Sequence, residues 1–298
     1  MKSRNKIIAL ILLGIFGLGI LLYPSIANYW NERRAAMLIT HYEEISAQVD
    51  DSAKQEELAK IREYNKGLIG SIVPDAFAEN EHEVDPVYVS LLNINGDGMM
   101  GTVEIPSIKV TLPIYHYTDQ ETLQKGAGHL AGSSLPVGGK GTHCTISAHR
   151  GLPNAKLFTD LDRLKKGNVF YLHVLGDTLA YEVDQIKTVE PEETEDLAIT
   201  AETDYCTLFT CTPYGVNTHR LLVRGHRVEY RQAVYEHENE TTLAPSRNTV
   251  LIRAVCVLIG IVIAAAVVFI IDRVKRRKVL FLQEKNGLSN QTDDEKER

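Results

Sequence analysis

Hydrophobic and polar positions follow three different patterns along this chain. At each end lies an uncharged apolar run. Ile7 to Leu22 is sixteen residues long and is preceded by Lys2, Arg4 and Lys6; Ala254 to Ile271 is eighteen residues long and is followed by Arg273, Lys275, Arg276, Arg277 and Lys278. A bilayer core takes roughly 20 apolar residues as helix, with a lower limit near 17. The second run with its flanks therefore predicts a membrane span, and the first predicts a span or a signal-peptide core. No clear small-x-small cleavage pattern precedes Trp30, which argues for a retained anchor. Positive charge stays on the cytoplasmic side, so the basic flanks predict both termini inside and residues of about 24 to 249 outside.

The second pattern is helical. Leu38, Tyr42, Ile45 and Val49 recur at helix spacing, and so do Leu58, Ile61 and Leu68 after a Ser52-Ala53-Lys54-Gln55 capping box. Amphipathic helices are expected over about 28 to 49 and 53 to 66. Glycines, prolines and acids then break the periodicity between residues 67 and 98, as in an irregular segment lying over a surface.

The third pattern is short strands divided by turns: about 101 to 105, 109 to 115, 141 to 148, 168 to 174, 178 to 189, 205 to 211 and 219 to 229. That rhythm predicts a mostly β fold, closed into an antiparallel-rich barrel. A short helix is expected near 155 to 163. After Tyr230 the chain becomes a polar tether, and its last twenty residues read as a disordered tail.

Composition narrows the possible functions. A formal net charge of −7 argues against nucleic acid as a partner, and 44% apolar with 24% charged residues is globular. Of the four cysteines, Cys256 lies inside the second apolar run, so at least one of Cys144, Cys206 and Cys211 is unpaired. Cys206 and Cys211 have opposite strand parity and should not bridge within one strand. The odd thiol is assigned to Cys211. Cys144 and Cys206 read as small buried residues, or as a pair.

The candidate chemistry gathers at strand ends. Cys211 closes one predicted strand, Arg220 opens the next, and a Pro/Gly/Asn loop joins them. A thiol can serve as nucleophile and a guanidinium can stabilise a reacting oxyanion. His149, in Ser147-Ala148-His149-Arg150-Gly151, stands where another apolar strand gives way to a turn, and supplies the acid or base. His116, His129, His143, His173, His219 and His226 lie in or beside strands and read as structural. Arg150, Arg224 and Arg227 compete with Arg220, but Arg224 lies about 13 Å further along its strand at ~3.3 Å per residue. No Cys-x-x-Cys or His-x-x-x-His pair is present, so neither metal nor another cofactor is expected.

These residues resemble the motifs of a known family. Ser147-Ala148-His149-Arg150-Gly151, Thr210-Cys211-Thr212-Pro213-Tyr214 with Arg220, Gly126-Ala127-Gly128-His129 and Glu104-Ile105-Pro106 are similar to those of sortases, and most like the class C, pilus-polymerising group. The resemblance runs from about Gly101 to about Tyr230. It implies an eight-stranded β-barrel, one more strand near 127 to 131, and transpeptidation with Cys211, His149 and Arg220 as catalytic residues. It also implies Thr210 as a substrate contact, proteins with LPXTG-like sorting signals as substrates and a pilin lysine as acceptor, with membrane lipid around the anchors. The division expected is an anchor over 1–24, a helical and lid-like segment over 25–98, the barrel over 99–230, a linker over 231–249, a second span over 250–272 and a cytoplasmic tail over 273–298.

Class C sortases carry an Asp-Pro-aromatic lid upstream of the barrel, and this chain has only partial matches. Asp75-Ala76-Phe77 keeps the acid and the ring; Asp85-Pro86-Val87 keeps Asp-Pro but puts Tyr88 one place late. Asp75 and Phe77 are the preferred pair, with an ordinary surface loop as the third alternative. An exposed Asp-Arg pair is worth about 0 to 1 kcal/mol, so such a lid is expected to open readily. Two other functions fit the same motifs less fully: a sortase that anchors surface proteins to peptidoglycan, and a non-enzymatic membrane-tethered surface domain.

Overall fold

The structure is a computed structural model that describes residues 2–71, 73–77, 84–232 and 235, with isolated helical positions at 260, 271, 273, 276 and 277. Helix α1 (Lys2–Gln48) is continuous through Pro24. The apolar run and the amphipathic helix expected over about 28 to 49 therefore lie in one helix. Among the described residues no helix is long and apolar enough to cross a membrane. Of the first apolar run, the side chains up to Ile15 and those of Leu18 and Leu21 are outside the described set. Most of the second run and the tail after Lys278 are also outside it.

Helix α2 (Asp51–Gly67) starts two residues earlier than expected. Asp50, rather than Ser52, is the N-cap, and its carboxylate accepts from the Ser52 amide at 3.1 Å. An anionic acceptor at the amino end satisfies a free amide and also meets the positive end of the helix dipole. Leu58 and Ile61 on α2 join the main core. The irregular segment that follows contains an unexpected helix, α3 (Pro86–Ser90), with Asp85 as its cap and Pro86 at its first turn.

Eight strands follow: β1 (Met99–Ile105), β2 (Val110–His116), β3 (Ala127–His129), β4 (Thr142–Ser147), β5 (Val169–Val174), β6 (Asp177–Val189), β7 (Asp204–Thr212) and β8 (His219–Val228). A short helix, α4 (Gln120–Lys125), precedes β3 and is capped by Asp119. The strands close in the order β1-β2-β3-β4-β7-β8-β6-β5. The helix expected over 155 to 163 is reduced to a single 3₁₀ turn at Leu161–Arg163. Backbone bonds from Thr159 to Lys156 and from Leu161 to Phe158 tighten the preceding residues into turns instead.

Alternation along the strands sorts side chains to two faces. Cys144, Ile146, Ala148, Cys206, Leu208, Leu221 and Val223 enter the barrel core. Cys144 and Cys206 are free thiols, opposite one another on β4 and β7. Close backbone contact explains both glycines of the Gly-Ala-Gly-His run: a side chain at Gly126 would collide with the Pro113 carbonyl, and one at Gly128 with the Tyr117 carbonyl. The β2–β3 and β4–β7 pairs are parallel, and the others are antiparallel. Parallel pairing of β4 with β7 brings their carboxyl ends to the same rim of the barrel.

Candidate active site

That rim carries the three predicted chemical groups. Ser147 pairs with Phe209, so continuing the parallel register brings His149 level with Cys211. On the other side of β7, antiparallel pairing sets Cys211 directly opposite Arg220. Parity gives all three side chains the outward face. Pairing alone therefore converges residues separated by 62 and nine positions in sequence.

The floor beside them is apolar. Phe209 and Leu222 share the outward face and pack with Val73, Ala76, Leu130 and Leu197 in a cluster separate from the barrel core. These neighbours were not singled out from the sequence, although their parity with Cys211 and Arg220 marked the face. Thr210, expected to contact substrate, is instead fully buried, and its hydroxyl donates to the Ala148 carbonyl at 2.7 Å. Alternation puts residue 210 on the face opposite Cys211, so its side chain ties β7 to the end of β4.

The segment after α2 roofs the site. Arg220 donates from Nε and Nη2 to the two carboxylate oxygens of Asp75, at 2.8 and 2.7 Å. Its Nη1 donates to the carbonyls of Asn217 and His219 at 3.1 and 3.2 Å, which fixes the guanidinium plane. The Phe77 ring lies 5.7 Å from the rings of both His149 and Phe209, and 5.5 Å from the Arg220 guanidinium carbon. The alternative acid, Asp85, is occupied as the α3 cap, and Tyr88 is buried against His129, 2.8 Å from its Nδ1. One expectation needs correction. The Asp75 and Arg220 side chains are only 13% and 10% exposed, so the pair is shielded and bidentate, and breaking it costs more than an exposed pair would.

Burial and charge set the protonation states under this roof. Burial raises the Cys211 thiol pKa above its ordinary value; Arg220 pulls it back and Asp75 pushes it further up. Burial lowers the His149 imidazole. Among the described residues neither side chain makes a hydrogen bond to the other. The closed site thus holds a neutral thiol and a neutral imidazole near pH 7. Lifting the roof removes the Asp75 carboxylate and part of the burial but leaves Arg220 in place, so the thiol pKa must fall.

A testable result follows. Asp75→Ala with Phe77→Ala should speed alkylation of Cys211 by a small thiol reagent at pH 7, because less burial and loss of the Asp75 carboxylate both raise the accessible thiolate population. The advantage should shrink above the closed-state thiol pKa, where both proteins are ionised. Equal rates at pH 7 would leave the segment as an ordinary surface loop.

Arg224 and four of the other histidines have separate partners. Arg224 pairs with Asp184 at 2.9 Å and lies 4.2 Å from the Tyr205 ring. His116 contacts the carbonyls of Gly98 and Leu91, His143 contacts Thr207, and His173 contacts Glu104. His219 contacts Glu190 at 3.1 Å, bracing the loop before Arg220.

Comparison with known proteins bears on this arrangement. Residues 103–228 match the family model for a sortase domain. The chain is 30% identical over 131 residues to sortase D of Bacillus subtilis, covering 43% of this chain and 63% of that protein. It thus spans somewhat under two thirds of that relative's length. Solved structures are more similar. Sortase C of Streptococcus pneumoniae, a protein with pilin substrates, is 47% identical, with a TM-score of 0.62 over 65% of this chain and 97% of that one. A pilus-related sortase C of Group B Streptococcus is 41% identical, with a TM-score of 0.59 over 63% of this chain and 96% of that one.

Proposed function

The chain belongs to the sortase family of cysteine transpeptidases, and from that premise we propose that it is a membrane-anchored class C enzyme joining pilin subunits. The observation that carries the proposal is the forked contact of Asp75 with Arg220, beneath a segment that lies upstream of the barrel. Anchoring proteins to peptidoglycan would use the same Cys, His and Arg but has no need of that segment.

In this reading Asp75 and Phe77 withdraw and a sorting signal of LPXTG type enters along Phe209 and Leu222. The Cys211 proton passes to His149, and the sulfur attacks the carbonyl carbon of the signal's threonine. Arg220 turns to the oxygen that becomes negative the same Nε and Nη2 edge it had given to Asp75. The peptide C–N bond breaks as His149 returns the proton to the leaving amine. A lysine amine of a second pilin then loses a proton to His149 and attacks the thioester, releasing the Cys211 thiolate, which recovers that proton from His149. The product is an isopeptide bond.

The test is direct. The full-length protein incubated with two pilins, one bearing a sorting signal and one an accessible lysine, should give a product whose linked residues mass spectrometry identifies as threonine and lysine. If a peptidoglycan stem peptide is added as a competing amine, a product joined only to that amine would favour the anchoring alternative.

Membrane attachment belongs to the same proposal. The uncharged runs Ile7–Leu22 and Ala254–Ile271, with basic residues on their terminal sides, support two anchors with the barrel outside. Holding enzyme and membrane-borne substrate at one surface raises their effective concentration. Protease added to intact protoplasts should degrade the barrel and spare the segment after Lys278. The opposite pattern would reverse the topology.

A further inference from the structure

Arg150 has no part in the chemistry above, yet its side chain is only 8% exposed. A guanidinium is costly to bury unless its donors are matched, and here each edge has an acceptor. Nη2 meets the Asp162 carboxylate at 2.5 Å, Nε donates to the Thr159 carbonyl at 3.2 Å, and Nη1 donates to the Thr212 hydroxyl at 3.0 Å. The first two contacts close the loop that follows His149. The third reaches another strand.

That third contact lies beyond the end of the β4–β7 pairing. The last backbone bond between the two strand ends runs from the Ala148 amide to the Phe209 carbonyl, and the Thr210 hydroxyl adds a bond to Ala148. His149 and Cys211 stand just beyond these links. Arg150, three residues past the end of β4, and Thr212, the last residue of β7, come next, and the Arg150 guanidinium donates to the Thr212 hydroxyl. Among the described residues that hydrogen bond is the side-chain tie that crosses the gap beyond the paired region.

We propose that Arg150 and Thr212 form a strut that sets the separation of His149 from Cys211, making both of them positioning residues for acyl transfer. The inference rests on the transpeptidase reading for its purpose, although not for its geometry. Proton transfer between thiol and imidazole depends steeply on their spacing, and a displacement of 1 Å can cost about 100-fold in rate. Asp162 and Thr159 hold the guanidinium at one end, so the Thr212 hydroxyl determines where the other end sits.

Thr212→Val tests this, because it removes the acceptor while leaving the Asp162 and Thr159 contacts in place. In the full-length protein, kcat with a sorting-signal peptide should fall about 10- to 100-fold, KM should stay within about twofold and the melting temperature should hold. Thr212→Ser keeps the hydroxyl and should restore kcat. A second readout needs no sorting substrate. The pH profile of Cys211 alkylation by iodoacetamide should carry an inflection from His149, absent in His149→Ala, lost in Thr212→Val and kept in Thr212→Ser.

Wild-type kcat and profile in Thr212→Val would overturn the strut, as would equal impairment by serine and valine or a loss confined to KM. So would a wild-type profile that His149→Ala leaves unchanged. If the wild-type protein turns over no sorting peptide, the transpeptidase reading fails, and the alkylation profiles still decide the strut.

Discussion

Cys211→Ala and His149→Ala should each abolish formation of linked product while leaving the fold intact. Losing the sulfur removes the atom that forms the thioester, and no group in the described site replaces it. The expected residual rate is therefore that of the uncatalysed reaction. Losing the imidazole removes a proton carrier used in both halves of the reaction; a single general acid-base step contributes about 10² to 10⁴ in rate. Neither change hollows the barrel. Cys211 faces outward and belongs to neither apolar cluster around it, and His149 touches the Phe77 ring rather than the core. Mass spectrometry of the product, with circular dichroism as the control for folding, checks the result. Wild-type turnover by either purified variant would remove that residue from the mechanism.

Arg220→Lys should cost about 100-fold in turnover even though the charge is retained. Removing one preorganised oxyanion donor typically costs 10² to 10³, and the structure explains why lysine cannot substitute. Two backbone carbonyls hold Nη1, which turns the Nε and Nη2 edge toward Asp75 in the closed site. An ammonium has no second edge to be held by while it presents two parallel donors. The same loss weakens the hold on Asp75. Small-reagent alkylation of Cys211 should then rise as turnover falls, and an unchanged circular dichroism spectrum and melting temperature separate the effect from unfolding, which would also expose the thiol. Near-normal turnover in the lysine variant would move the oxyanion role elsewhere.

Much of the fold was legible because strands carry a local signature. Period-two alternation bounded by glycine and proline located seven strands to within about two residues of their observed ends, and the family resemblance supplied β3, whose three residues are too few to alternate. Helices without a long apolar stripe were harder to find. α3 and α4 are five and six residues long, shorter than two turns, and their main signals are Asp85 and Asp119, which read equally well as turn residues. The cap of α2 was misread because Asp50 and Ser52 both favour that position, and local sequence does not rank them.

The sequence by itself determined which residue types could react and which face of each strand they occupy, because alternation follows from covalent geometry. It also limited a lid to two acid-containing segments. Tertiary structure alone decided that Asp75 meets Arg220 while Asp85 caps a helix, and that Thr210 is a tie inside the barrel. It alone made the Asp75–Arg220 pair a shielded fork and gave Arg150 a partner beside Cys211. Apart from the local Asp85 cap, these outcomes depend on contacts between residues 62 to 145 positions apart. Such contacts exist only in the assembled tertiary structure, and local propensity carries no information about which distant donor the closed barrel leaves beside which acceptor.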